Sequence, residues 1–493
     1  MQLSQNRVDG KRTKIVATIG PASSDEEVLR QIIRKGMNVA RINFSHGDHE
    51  THGETIDRIR RIAAEENAVI AIMCDLQGPK IRIGKIAKEP LELAPGDTIR
   101  LTLNEKLANN DDPYTVLLPH PEFVRDIEAG MSLLLDDGNL EFVVREVDSE
   151  TLVCEVIIGG NLTSRKGVTA PTAKLTLSAI TEKDRTDVEF ALKKNADYIA
   201  MSFVRSEEDL RELRWLMRHL GGDNPPAIVS KIEKHEALEN IEAIIESSDA
   251  IMVARGDLGV ETPAEEVPVH QKRIIRLCNI ASKPVITATQ MLNSMVDNAR
   301  PTRAEASDVY NAIMDGTDAV MLSNETAMGN FPVVAVETMA TIAVIAEQNL
   351  LGERDIRRIY QPNAKGREVI SDAISQATSQ IAEVLQCKAI VTSTLTGYTA
   401  RRVAKERPRT PIICVTPSEI TFRRMALVWG VIPMMTPQFH TIDEMITMVV
   451  QTANNSGLVV RGDSLVIIAG VPFGVGGQTN FLKLHIVGES GEL

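Results

Sequence analysis

The sequence predicts an α/β chain in three parts: a (β/α)8 TIM barrel, a small β-barrel domain inserted into it, and a C-terminal doubly wound α/β domain. Three observations predict it. From Lys14 onward, short β-branched runs alternate with amphipathic helical stretches. Between residues 91 and 169 that rhythm gives way to period-two alternation with turn signals. Beyond residue 178 the strand-helix rhythm resumes and runs to the C-terminus. A length of 493 residues suits roughly three domains. They are placed at residues 1–78 with 178–345 for the barrel, 79–177 for the insert, and 346–493 for the last domain.

Taken in order, KIVATIG is the first strand, and SDEEVLRQIIRKG is a helix whose Ser24 and Glu27 have capping-box spacing. MNVARINF, a long polar helix through Ile62, and AVIAIMCDL follow. Gly78-Pro79 then reads as a hinge where the chain leaves the barrel. In the insert, DTIRLTLNE and NLEFVVREV alternate, and Asp136-Asp137-Gly138 marks a turn. TEKDRTDVEFALKKN restores a helix. ADYIAMSFV, AIVSKIE, AIMVARGDL, PVITATQ and DAVMLSNE are then strands separated by helices. Strands near residues 14, 38, 68, 197, 227, 250, 284 and 318 make eight, the number that closes a barrel. From about Gly366, helix REVISDAISQATSQIAEVLQ and strands KAIVTST and PIICVT open the third unit.

Composition narrows the partners. Aromatic residues are 3% of the chain and the net charge is −13, which excludes base-stacking nucleic-acid platforms and anionic membrane surfaces. A local cluster of Arg and Lys still holds a small phosphorylated ligand. Cys74, Cys154, Cys278, Cys387 and Cys414 show no C-x-x-C spacing; four of them sit inside apolar runs and read as buried hydrophobes, without a disulfide framework. The N-terminus is polar, and no apolar segment approaches the roughly 18 residues that span a bilayer. The expected location is cytoplasmic.

Barrels of this kind keep their chemistry at the C-terminal ends of the strands. There the second strand carries Arg41, Asn43 and Ser45 on one face, and the third ends at Asp75. The fifth ends with Lys231 and Glu233, the sixth with Arg255-Gly256-Asp257, the seventh at Thr289, and the eighth at Ser323 and Glu325. Glu233 and Asp257 on adjacent strands, beside Lys231 and Arg41, supply hard oxygen ligands for magnesium or manganese and cations for a phosphoryl group. Gly256 lets backbone amides approach an anion. Neither a Walker A sequence nor a Rossmann glycine loop is present.

TKIVATIGPAS, NVARINFSHG, DLQGPKIR, SKIE, VARGDLGVE, ITATQML, RPTRAEASDV and DGTDAVMLSNETA resemble the signature blocks of the pyruvate kinase family, in order and spacing. The resemblance implies phosphoryl transfer from phosphoenolpyruvate to ADP, giving pyruvate and ATP. By matching position it implies Mg2+ or Mn2+ on Glu233 and Asp257, and the transferring phosphoryl on Arg41 with support from Arg82. It places Lys231 on the phosphoryl oxygens, and the substrate carboxylate on Gly256, Asp257 and Thr289. Thr289 and Ser323 fall on the route that protonates the enolate, with Glu325 tuning it, and Asn43, His46, Arg82 and Lys166 on the nucleotide side. The family's potassium-site positions correspond to Asn43, Ser45, Asp75 and Leu76. Lys80, where potassium-dependent members carry glutamate, resembles the potassium-independent branch and implies an internal cation beside Asp75. Thr394, Thr396, Gly397 and Thr399 resemble the loop for a sugar-phosphate or nucleotide effector, and residues 470–480 its partner loop. The resemblance also implies a homotetramer. Two other readings share parts of this pattern: a non-catalytic sensor of phosphorylated metabolites, and a metal-dependent lyase or aldolase acting on a pyruvate enolate.

Overall fold

The computed structural model describes residues 10–489 apart from 87–88, 109–111, 172, 222–223, 353–366 and 474–476. The polar N-terminal residues 1–9, the expected start of the third unit near Gly366, and part of the 470–480 loop lie outside the described residues.

Eight parallel strands close a ring: Lys14–Thr18, Val39–Asn43, Ala71–Asp75, Tyr198–Met201, Ala227–Ile232, Ala250–Ala254, Val285–Ala288 and Ala319–Leu322. The first pairs with both the second and the eighth. The third pairs directly with the fourth, Met73 opposite Tyr198, so the insertion leaves the barrel's hydrogen bonding unbroken. These strands are buried almost throughout, which is why they read as continuous apolar runs rather than alternating ones. Val16, Val39, Met73, Val229, Met252 and Ile286 belong to the cluster that fills the barrel. The opposite strand faces pack on helices through a larger cluster that includes Leu29, Ile56 and Met339.

Three local expectations are corrected. The third strand begins at Ala71 rather than near 68. Helix Glu26–Arg34 is capped by Asp25, whose carboxylate accepts the Glu27 and Val28 amides; Ser24 lies one residue outside the cap, because the carboxylate already satisfies those donors. Helix Pro332–Gly352 runs unbroken through residue 345, and its Pro332–Leu350 stretch is long and apolar enough, with mean hydropathy 1.3, to meet the span criterion. It packs on helix Arg303–Met314, its Glu337 pairs with Lys35, and its Glu347 accepts the Arg12 amide, so it reads as a core helix.

The insert curls a six-stranded sheet, Val168–Thr169, Ser132–Leu135, Leu140–Val147, Thr151–Ile158, Thr98–Thr102 and Thr115–Leu117, about a core containing Phe123 and Phe142. Leu91–Leu93 pairs separately with Gly160–Leu162. The exit from the barrel depends on Gly78, which has φ +68° and faces Phe203 so closely that a Cβ would sit 2.9 Å from the ring.

The last domain carries a five-stranded sheet in the order Val431–Met435, Ile412–Thr416, Ala389–Ser393, Ser464–Ala469 and Phe481–Ile486, the last antiparallel. It is fastened to the N-terminal ends of the barrel strands. Arg423 meets Asp197 at 2.7 Å, and Arg407 meets Asp318 at 2.9 Å and the Gly316 carbonyl at 2.6 Å. The opposite rim of the barrel is thereby left to the insert and the cleft beneath it.

Candidate active site

Four of the expected side chains converge inside that rim. Arg41 Nε donates to Asp75 Oδ2 at 2.6 Å, and its Nη1 donates to Thr18 Oγ1 at 2.9 Å. Lys231 Nζ lies 2.9 Å from Glu233 Oε1, 3.4 Å from Asp75 Oδ1 and 2.7 Å from Ser202 Oγ. Glu233 Oε2 accepts the Phe203 amide at 2.7 Å. Asp75 and Glu233 are each only 1% exposed, so their charges act in a poorly screened environment. Burial alone would lower the Lys231 pKa, but Asp75 and Glu233 outweigh it and hold the ammonium above its ordinary value. Burial would raise Asp75, yet Lys231 and Arg41 bring it below the usual carboxylate range. Glu233 stays raised: burial dominates, Lys231 opposes it, and repulsion from Asp257 adds to it.

Burial leaves Glu233 poorly solvated beside Asp257, and a hard divalent cation fits the two carboxylates. Among the described residues no group of three or more His, Cys, Asp or Glu side chains is placed to hold a metal. A two-carboxylate site leaves the other positions to water and phosphate oxygens, as magnesium prefers.

The next strands are tied into the same rim. The Gly256 amide donates to Thr289 Oγ1 at 2.8 Å, while Thr289 and Gln290 are both left-handed, with φ of 71° and 54°. Arg255 holds this turn: it donates to the Thr289 carbonyl at 2.8 Å and pairs with Asp308 at 2.7 Å. The Glu325 carboxylate accepts the Ser323 amide at 2.7 Å and the Leu292 amide at 3.1 Å, joining the seventh and eighth strand loops. Ser323 Oγ is buried with no partner among the described residues.

Other expected residues stand apart. Arg82 is exposed on the insert side, donating to the Arg165 carbonyl at 2.9 Å, and Lys166 pairs with Asp136 at 2.5 Å. His46 is exposed, its carbonyl accepting from His52 Nε2 at 2.7 Å. Asn43 Oδ1 accepts the Ser45 amide at 3.1 Å. Leu76 is buried in the barrel-helix core and its carbonyl accepts Ser202 Oγ, so its side chain offers an ion nothing. Asp75 is deeply buried and holds Arg41 and Lys231. Lys80 packs over Gly167, on the wall of a cleft that it shares with Pro79, Asp257, Lys234 and Glu261. In the last domain, Thr394, Thr396 and Thr399 line an open cavity, and Gly397, with φ +77°, precedes helix Tyr398–Lys405.

Sequence reasoning missed Thr18, Ser202, Phe203 and Leu292, and it named Arg255 only as a strand-end charge. Ser202 ends an apolar run as Asp75 does, so strand-end position was a usable signal. Phe203 and Leu292 contribute only backbone amides, which leave no trace in residue type.

Buried cations facing a carboxylate pair at the mouth of a closed α/β barrel define a barrel phosphotransferase. The family description "pyruvate kinase, barrel domain" matches residues 10–336, and "pyruvate kinase, alpha/beta domain" matches residues 372–485. The chain belongs to the pyruvate kinase family. It is 47% identical over 486 residues to a pyruvate kinase of Geobacillus stearothermophilus, covering 97% of this chain and 81% of that one. It is 45% identical to one of Clostridium perfringens, covering 96% and 99% respectively. A crystal structure of a pyruvate kinase from Cryptosporidium parvum superposes with a TM-score of 0.88 at 37% identity, covering 97% and 96%. The reaction is accordingly phosphoryl transfer from phosphoenolpyruvate to ADP in glycolysis, and the sensor and lyase readings are set aside.

Arg255 had no role assigned from the sequence, and its effect should be measurable. Arg255→Met is expected to lower kcat/KM for phosphoenolpyruvate about 10²-fold, since a misplacement of about 1 Å costs that much. The Mg2+ concentration for half-activity should stay the same. Unchanged kinetics in a folded variant would leave the Thr289 turn self-supporting.

Proposed function

We propose that Glu233 and Asp257 hold the Mg2+ or Mn2+ of this reaction, with Arg41 and Lys231 on the transferring phosphoryl group. The observation that carries this is Lys231, an ammonium suspended between Asp75 and Glu233 with its proton held firmly. Such a group neutralises charge spreading over phosphoryl oxygens without giving up a proton. The divalent ion, when bound, polarises and positions the phosphate. Gly256, Asp257 and Thr289 hold the substrate carboxylate, which would replace the present Gly256–Thr289 hydrogen bond. The unpartnered Ser323 hydroxyl, with Thr289, serves the proton route to the enolate, and Glu325 keeps both loops in register. Glu325 therefore acts as a positioning residue, its carboxylate accepting the Ser323 and Leu292 amides.

Arg82, Lys166 and His46 join the nucleotide side when the insert closes about the Gly78-Pro79 hinge and excludes water from the cleft. Hydrogen exchange in the insert should slow when substrates are added; equal exchange with and without them would argue against closure. The 394–399 loop is the proposed site for a sugar-phosphate or nucleotide effector, and the proposed assembly is a homotetramer, checked by light scattering. Potassium is not required, a reading supported by Leu76 and Lys80.

The metal assignment is tested by titration. Asp257→Asn should raise the Mg2+ concentration for half-activity about 10- to 100-fold and weaken Mn2+ binding in parallel when free ion is followed by electron paramagnetic resonance. Wild-type Mn2+ affinity in that variant would place the ion elsewhere.

A further inference from the structure

A third pocket, small and open to solvent, lies at the seam between the barrel and the C-terminal domain, lined by Asn279, Ser282, Lys283, Asp318, Arg401 and Lys405. Its charge is lopsided. Asp318 is already spent on Arg407 at 2.9 Å and on the Val285 amide at 3.0 Å, and Lys405 is shared with Asp372 at 2.7 Å. Lys283 donates to two backbone carbonyls, Ser248 at 2.5 Å and Glu246 at 3.2 Å. Arg401 donates to the Thr396 carbonyl at 3.1 Å. Neither cation is ion-paired to a carboxylate among the described residues. Asp249, the acid whose charge both feel, is held by Arg214 at 3.0 Å.

Two further features point to a missing anion. Burial is the largest influence on both Lys283 and Arg401 and pushes the pKa of each down, outweighing the opposing pull of Asp249. The Ser282 hydroxyl, on a residue only 8% exposed, is buried with no hydrogen-bond partner. Ser282 sits in the left-handed region, with φ +57°, as the C-cap of helix Val267–Ala281.

We propose that this seam is an oxyanion site, where Lys283, Arg401 and the Ser282 hydroxyl hold one phosphate group, either inorganic or borne on a small phosphomonoester. It is distinct from the catalytic cleft on the opposite rim. It also differs from the cavity at the 394–399 loop, although Arg401 bonds to that loop through Thr396.

Because phosphate also binds other cationic sites, the test counts sites. Full-length protein is dialysed to equilibrium against labelled inorganic phosphate at low ionic strength, with three variants beside the wild type. Ser282→Asp puts a carboxylate into the cavity on a backbone that Asp tolerates, and should remove one phosphate per chain and raise the thermal midpoint. Ser282→Ala and Lys283→Met should each weaken that phosphate roughly tenfold, the effect of losing a hydrogen bond to a charged group. Steady-state kcat should be unchanged in both Ser282 variants, which reports on folding. Competition with glycerol 3-phosphate separates the sources: displacement of the label at lower concentration than unlabelled phosphate assigns a phosphomonoester, and the reverse order assigns inorganic phosphate. Equal phosphate stoichiometry in wild type and Ser282→Asp, or no binding by the wild type at millimolar phosphate, overturns the proposal.

Discussion

Replacing Lys231 with methionine is expected to lower kcat for pyruvate formation by roughly 10³-fold or more, the range seen when one cation is removed from a phosphoryl-transfer transition state. The Michaelis constant for phosphoenolpyruvate should move far less, because Arg41 remains in place on its side of the phosphoryl position. The loss should also be selective. Thr289 and Ser323, on the seventh and eighth strands, carry the proposed proton route, and Lys231 on the fifth does not. Exchange of the pyruvate methyl protons with solvent should therefore persist within about tenfold, as expected for general acid-base groups left intact. Folding needs its own control. Glu233 would lose its cation, and breaking a buried ion pair costs about 3–5 kcal/mol. A thermal scan therefore accompanies the kinetics, and Lys231→Arg restores the charge on the same strand. A folded Lys231→Met variant with kcat within tenfold of wild type would remove the lysine from the phosphoryl group.

The architecture was legible because barrel strands buried on both faces leave unbroken apolar runs, and the period-two segment between residues 91 and 169 contrasts sharply with them. The catalytic cluster was legible for a related reason: charged residues that end such runs have no structural cause to be there. What stayed hidden was hydrogen bonding that composition does not encode. Glu325 reads as a catalytic carboxylate in sequence, yet its two oxygens are occupied by the Ser323 and Leu292 amides. The pairing of Asp75 with both Arg41 and Lys231 joins three separate strands, and only the closed ring creates it. Ser24 matched a capping pattern one residue from the true cap, because two adjacent residues can both fill that role and only backbone geometry selects Asp25.

Lys80 is the residue whose role depends most on a measurement. Its side chain lines the cleft beneath the insert, as Asp257 does, and the apolar side chain of Leu76 cannot serve as an ion ligand. If Lys80 supplies the fixed positive charge, activity should be full in a buffer whose only monovalent cation is tetramethylammonium, and potassium should add nothing. Lys80→Glu reverses that charge and should cost about 10²-fold in kcat without potassium, on the scale of one electrostatic contact in a water-excluded site. Adding Leu76→Thr supplies an oxygen ligand, and the double variant should recover much of its activity as potassium is titrated in. Burying a hydroxyl in place of Leu76 strains the core, so the single Lys80→Glu variant carries the charge argument and the double variant only the recovery. A wild type that needs potassium, or a Lys80→Glu variant indifferent to it, would reduce Lys80 to a hinge lysine. The loss of Leu76 as a ligand would then need another oxygen near Asp75 to hold the ion.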